Sequence, residues 1–227
     1  KAVTFHGKSC HAARPDNGIN ALNICTLAQN ALALLRETFT DPSIRVHGMI
    51  NSGGDSVNII PDNVSMEYLL RASSMEKIKE LSMLFDRAMH GAAAALGGSA
   101  EVTTTPGYAV MKDHQGLWKV FEDTVRILHP EANFNSTGAV MSSTDMGDVS
   151  QILPTVHSAI PGAQGTAHGK DYQVKDPEQA YLDNARILAL TAVELLYGDA
   201  SRGSEIAASR EGLLSIPEYI TMMDSLA

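Results

Sequence analysis

The order of strand-like and helix-like segments in residues 1–106 limits the fold of this chain more than any other feature. Apolar residues repeat at helical spacing over residues 15–37 and 75–96, and strand-like runs occupy residues 2–5, 45–51, 64–72 and 101–105. This order, β-α-β-β-α-β, is that of the ferredoxin-like split βαβ arrangement. We therefore expect a four-stranded antiparallel sheet with two helices on one face.

A Pro106-Gly107 pair ends this first region, and the pattern then changes. An amphipathic helix is predicted over residues 115–128, followed by a stretch rich in Ser, Thr and Gly over residues 133–169. Asp176-Pro177 begins a strong helical pattern that runs to about residue 197, because proline suits the first turn of a helix. We expect domains at 1–106 and 107–200, and a tail at 201–227 with one short amphipathic helix.

Composition excludes several classes of function. The 227 residues carry a formal net charge of −9, which argues against nucleic-acid binding because such proteins usually present a basic surface. No apolar run approaches the ~20 residues that cross a bilayer, so no membrane association is expected. The two cysteines, Cys10 and Cys25, have no metal-type spacing, and such sparse use of cysteine favours a cytoplasmic location.

Residues 5–22 (FHGKSCHAARPDNGINAL) place His11 at a turn between the first strand and the first helix. Three further motifs lie downstream: Asn58-Ile59-Ile60-Pro61 with Arg71 thirteen residues after the Asn, the string SSTDMGDVS at 142–150, and His168 twenty-four residues after Thr144. In order and spacing, these four features resemble the aminoacylase/carboxypeptidase family of metal-dependent amidohydrolases. The aminobenzoyl-glutamate hydrolase-like branch is the nearest likeness, and it covers about residues 1–197.

The resemblance implies a fold for each region. Residues 1–106 correspond to the lid or dimerisation domain, which the family inserts into the middle of its catalytic domain. The residues after 106 correspond to the C-terminal part of an α/β zinc-aminopeptidase-like catalytic domain. On this basis the chain is expected to be a fragment of a longer enzyme and to form a homodimer through the lid.

The resemblance also implies roles for individual residues. His11 would reach across the dimer and stabilise the oxyanion, as a donor aimed at developing charge does in other hydrolases. Asn58 and Arg71 would hold the substrate carboxylate and neighbouring amide, while Ser143 and Thr144 would approach the scissile amide. His168 would be the last ligand of a site for two divalent metal ions, zinc or manganese.

Each of these residues also has a simpler interpretation. Asn58 is a common turn former and Arg71 could be a surface strand residue, whereas a Thr followed by Asp often only caps a helix. A lone histidine is more often structural than a ligand, and Ser142 stands where many relatives have glycine. The substrate stays open among N-acyl amino acids, dipeptides and aminobenzoyl-glutamate-like amides.

Two motifs of the family are absent from the sequence. No H-x-D and no Glu-Glu pair occurs, although the family uses these for its other metal ligands and its general base. We therefore expect the 227-residue chain to bind no catalytic metal tightly and to be inactive alone. The alternatives are a non-catalytic dimerisation or regulatory module that keeps the lid fold, and a ferredoxin-like domain that binds a small ligand.

Overall fold

The computed structural model describes residues 1–134 and 143–226. The chain forms two compact units. Among the described residues, the first comprises Lys1–Val110 and residues 221–226, and the second lies within residues 111–220.

The first unit is built on a four-stranded sheet with two helices. Its elements are β1 (Ala2–His6), the two-residue strand β2 (Cys10–His11), α1 (Ala21–Leu35), β3 (Arg45–Ser52), the two-residue strand β4 (Ile59–Ile60), β5 (Asn63–Arg71), α2 (Met75–Ala95) and β6 (Ser99–Thr103). The strand order in the sheet is β3-β5-β1-β6, and each neighbouring pair is antiparallel. This confirms the predicted ferredoxin-like arrangement. The strands β2 and β4 pair separately as a short ribbon.

Both helices cover the same face of this sheet. Alternate residues of β1 and β5, namely Val3, Phe5, Val64 and Met66, are buried in one cluster with side chains of α1 and α2. Because neighbouring residues of a strand point to opposite faces, the other residues of these strands lie on an open face without helices. This open face presents Leu69 and Arg71 from β5 and His47 and Met49 from β3.

Local signals in the sequence set the helix ends. The Asn20 side chain accepts hydrogen bonds from the backbone N–H groups of Leu22 and Asn23 and so caps α1. The helix predicted from residue 15 therefore begins later, at Ala21, and only a 3-10 turn forms at Pro15–Asn17. At the other end of α2, Gly97 adopts a φ of 78° that ends the helix.

The second unit contains the remaining helices. They are α3 (Gln115–Leu128), α4 (Met146–Ile152), α5 (Asn184–Leu196) and α6 (Ser201–Ala208), and α7 (Ile216–Asp224) follows along the chain. A hairpin of β7 (Ala163–Gln164) and β8 (Gln173–Val174) precedes a π-helical turn, Glu178–Asp183, that leads into α5. Phe121 and Val125 of α3 pack with Ile187 of α5. The short helix predicted for the tail corresponds to α7, and α6 is an additional helix that a turn at Arg210–Leu213 separates from it.

Within the described residues, no helix combines the length and the apolar character needed to cross a membrane.

Candidate functional site

His11 is the last residue of β2 and lies in the ribbon beyond the end of β1. It pairs with Ile59 of β4, and the next residue, Ala12, donates its N–H to the Asn58 carbonyl at 2.9 Å. The imidazole is exposed, and its Nδ1 accepts a hydrogen bond from the backbone N–H of Ala13 at 3.0 Å. The ribbon therefore brings His11 and Asn58 of one chain close together.

Asn58 lies in the exposed loop that precedes β4. Its side-chain oxygen accepts a hydrogen bond from the Ser56 hydroxyl, which orients the amide. The side-chain nitrogen of an amide so oriented is a donor, suited to a carbonyl or carboxylate oxygen of a small molecule. Turn formation and ligand binding are compatible here, because the backbone carbonyl holds the ribbon while the side chain is exposed.

Arg71 ends β5 and is half-buried on the open face of the sheet. Arg45 of β3 lies directly opposite, at the same level of the antiparallel pair. No sequence motif marks Arg45, and its position follows only from the register of β3 against β5. Nearby, hydrogen bonds from Ser43 and Ser73 lower the pKa of Asp41 to about 2.

Arg71 and the His11–Asn58 pair lie at opposite ends of the first unit. Asn63, which opens β5 just after the ribbon, pairs with His6 at the end of β1 that leads to the ribbon. Eight residue steps of strand separate Asn63 from Arg71, a distance of about 25 Å at the usual rise per residue. The structure therefore does not bring Asn58 and Arg71 of one chain together.

Ser143 and Thr144 precede α4 in the second unit. The Thr144 hydroxyl accepts a hydrogen bond from the Met146 backbone N–H at 3.3 Å, so it satisfies part of the helix N-terminus. Ser143 is exposed, whereas Ser142 lies outside the described residues. Farther along the same motif, buried Ser150 accepts from the Lys112 N–H at 3.0 Å and donates to the Gly147 carbonyl at 2.6 Å, which anchors α4.

His168 lies at the tip of the hairpin formed by β7 and β8. The Gly169 N–H donates to the Thr166 carbonyl at 2.7 Å, so residues 166–169 form a tight turn with His168 at its third position. His168 has a φ of 64°, in the left-handed region that favours glycine. Its imidazole is exposed and so can serve as one ligand of a metal ion.

A complete metal site would need further ligands. Over residues 1–134 and 143–226, no three His, Cys, Asp or Glu side chains come close enough together to hold a metal ion. A zinc site normally takes three or four protein ligands. The exposed imidazole of His168 therefore fits a metal as a single contributed ligand.

Comparisons with known proteins agree with this architecture. Residues 2–95 match the family model of the peptidase dimerisation domain. Among curated proteins, the chain is 31% identical over 204 residues to the human Xaa-Arg dipeptidase, covering 86% of this chain and 47% of that protein. It is also 28% identical to an Arabidopsis thaliana protein named IAA-amino acid hydrolase ILR1-like 2, over 87% of this chain and 47% of the relative. The chain thus spans about half the length of these relatives.

Solved structures share the fold. A putative aminohydrolase from methicillin-resistant Staphylococcus aureus superposes with a TM-score of 0.66 at 16% identity, over 85% of this chain and 50% of that one. The aminopeptidase PepT from Bacillus cereus gives a TM-score of 0.63 at 20% identity, over 84% and 49% of the two chains.

Proposed function

Because residues 2–95 belong to the M20 peptidase dimerisation domain family, we propose that this chain is part of a metal-dependent amidohydrolase. Its substrate would be an N-acyl amino acid, a dipeptide or an aminobenzoyl-glutamate-like amide. The names of the relatives, a dipeptidase and an IAA-amino acid hydrolase, support this class. A dipeptide and an N-acyl amino acid both carry a free carboxylate beside the amide to be cleaved.

The main support for a site shared between two chains is the distance between Arg71 and the His11–Asn58 pair. A substrate of this class is much shorter than the strand β5 between them, about 25 Å long. One chain therefore cannot offer both sets of residues to one substrate, whereas two chains related by a two-fold axis can. In the proposed homodimer, His11 and Asn58 of one chain serve the site to which the partner contributes Arg71.

The edge strand β3 is the proposed dimer contact. It is eight residues long, and only Val46 of its side chains is buried. Met49 on this strand is 63% exposed, and Leu69 beside it on the open face is 61% exposed. A long, exposed edge with apolar side chains readily pairs with another strand.

Each residue has a chemical role in the proposed site. The planar guanidinium of Arg71 matches a carboxylate with two parallel hydrogen bonds. The amide of Asn58 donates to an oxygen of the substrate, and His11 donates to the oxygen that becomes negative as the amide is attacked. Ser143 and Thr144 lie at the start of α4, where backbone N–H groups and hydroxyls can approach the scissile amide.

His168 is the residue of this chain that would hold the metal. When bound, divalent metal ions in such enzymes polarise the carbonyl and activate water. Glycine would adopt the positive φ of His168 at a lower energetic cost. The presence of histidine at this position therefore supports a role for the imidazole itself. Zinc and manganese both accept imidazole ligands, so the chain does not distinguish them.

Mixed dimers test this arrangement in the active enzyme. His11→Ala and Arg71→Ala should each abolish most turnover alone. In a mixture, half of the dimers pair one variant with the other, and one of their two sites has intact His11 and Arg71. About a quarter of the wild-type rate should therefore return. A mixture as inactive as either variant alone would show that His11 and Arg71 do not act across a dimer.

The alternative is a dimerisation module without catalytic function. The match of residues 2–95 to a dimerisation domain supports this alternative as well. A dimerisation module needs neither Arg71 nor His168. Hydrolysis of a dipeptide or N-acyl amino acid by the intact protein, dependent on added metal, would exclude this alternative.

A further inference from the structure

The backbone beside His11 favours one of the two neutral tautomers of its imidazole. The Ala13 backbone N–H donates to His11 Nδ1 at 3.0 Å. A nitrogen that accepts a hydrogen bond carries no proton, so the neutral ring has its proton on Nε2. We propose that the Ala13 N–H thereby makes Nε2–H the group with which His11 donates to the substrate oxyanion. This inference rests on the function proposed above.

The backbone around His11 is held firmly enough to fix this contact. The Arg14 N–H donates to the His11 carbonyl at 2.9 Å, which closes a β-turn over residues 11–14. The Ala12 N–H donates to the Asn58 carbonyl, so a second residue of the turn is also held by a backbone hydrogen bond. Within such a turn, an acceptor on the first side chain meets the N–H of the third residue, as Asp and Asn acceptors do in Asx-turns.

The opposite tautomer is disfavoured by the same contact. A proton on Nδ1 would face the Ala13 N–H, so two donors would meet and one hydrogen bond would be lost. The loss of a typical hydrogen bond corresponds to a change of about five- to tenfold in population. Since His11 is exposed, Nε2–H at the outer end of the ring is the donor available to a ligand. Its orientation is set before the substrate arrives, which is what an oxyanion donor requires.

Nuclear magnetic resonance tests the tautomer directly on the 227-residue chain. Nitrogen-15 chemical shifts of the imidazole would be recorded where the His11 signals no longer move with pH. We expect the Nε2–H tautomer to exceed the Nδ1–H tautomer by at least about fivefold. Equal populations, or an excess of Nδ1–H, would overturn the inference.

Amide hydrogen exchange tests the contact itself. His11→Phe keeps a ring but removes the acceptor, so exchange of the Ala13 amide should accelerate about five- to tenfold. The Arg14 amide, which bonds to the backbone carbonyl of residue 11, serves as the internal control and should change little. An unchanged Ala13 amide would show that the ring does not accept this hydrogen bond.

Two amide substitutions connect the tautomer to catalysis in the active homodimer. The side-chain nitrogen of glutamine lies where Nε2 does, whereas that of asparagine lies closer to Nδ1. His11→Gln should therefore keep at least about tenfold more kcat than His11→Asn, with similar KM, because the donor acts on the transition state. The reverse order in an active enzyme would overturn the inference. Failure of the proposed function itself would differ, since the wild-type protein would then show no turnover.

Discussion

Arg45 lies directly opposite Arg71 in the antiparallel pair of β3 and β5, so both side chains leave the same open face of the sheet. Like charges at directly opposed positions destabilise a sheet. Arg45 is drawn partly toward its own segment, because its guanidinium donates to the carbonyls of Pro42 and Ile44 at 2.6 and 2.8 Å.

Removing the Arg71 guanidinium should weaken substrate binding in the active enzyme. Hydrogen bonds to a charged group contribute enough that Arg71→Ala should lower kcat/KM by roughly tenfold to a hundredfold. The measurement is steady-state kinetics with metal content determined in parallel, and metal content should not change. A substrate whose carboxylate is replaced by a carboxamide should be cleaved equally by variant and wild type.

The control for Arg71→Ala is Lys79→Ala, which removes an exposed positive charge from α2, a helix on the opposite face of the sheet. Its kinetics should match those of the wild type. If Arg71→Ala retained wild-type kcat/KM on the carboxylate substrate, Arg71 would not bind the carboxylate.

A charge on the edge strand β3 should dissociate the dimer. Met49→Glu would place two carboxylates close together where two copies of β3 meet, and dimer formation would remove both carboxylates from water. Sedimentation at micromolar concentration should show a dimer for the wild type and a monomer for Met49→Glu. Met83→Glu on α2, where the methionine is 60% exposed, provides a matched control and should remain dimeric. An unchanged dimer in Met49→Glu would place the interface on another surface.

Asp41 should make folding stability depend on pH in the acidic range. Hydrogen bonds from Ser43 and Ser73 lower its pKa from 3.8 to about 2. Because the folded state has the lower pKa, this contribution is present above about pH 4 and is lost as pH falls toward 2. Urea unfolding should therefore show Asp41→Asn less stable than the wild type at pH 6, with the difference shrinking by pH 3.

Asp55→Asn removes a carboxylate from an exposed loop and serves as the comparison for Asp41→Asn. The free energy of unfolding of Asp55→Asn reports how much of any pH dependence comes from removing a surface carboxylate in general. A constant deficit of Asp41→Asn from pH 6 to pH 3 would mean that the hydrogen bonds to Asp41 do not stabilise its charged form.

The fold of the first unit could be predicted because its signals are local and agree with one another. Alternating apolar residues in β5, the helical repeats of α1 and α2, and the Gly97 stop all lie within single elements. The helical repeat predicts a start of α1 at Pro15, but Gly18 and the cap Asn20 interrupt the run and the helix begins at Ala21. The sequence does not predict α6, because its polar segment contains Gly203 and gives only a weak helical signal.

The candidate site was predictable only residue by residue. Motif spacing makes His11, Asn58 and Arg71 candidate site residues, but it does not indicate that a nine-residue strand holds Arg71 away from the other two. That distance follows from the rise of a strand, once the strand itself is certain. Arg45 and the Ala13 N–H could not be identified by motif, since both depend on pairing between distant segments or on backbone direction.

The side chain of His168 should bind metal, although histidine makes the turn less stable than glycine would. With a φ of 64° it occupies a backbone position that glycine adopts more easily than alanine or histidine. His168→Gly should therefore be more stable than His168→Ala by about 1 kcal/mol in urea unfolding, because alanine keeps the Cβ that disfavours this conformation. In the active enzyme, both variants should lose metal and turnover to the same extent, as measured by metal analysis and kinetics. Full metal content in His168→Gly would show that the imidazole is not a ligand and that the histidine has only a turn role.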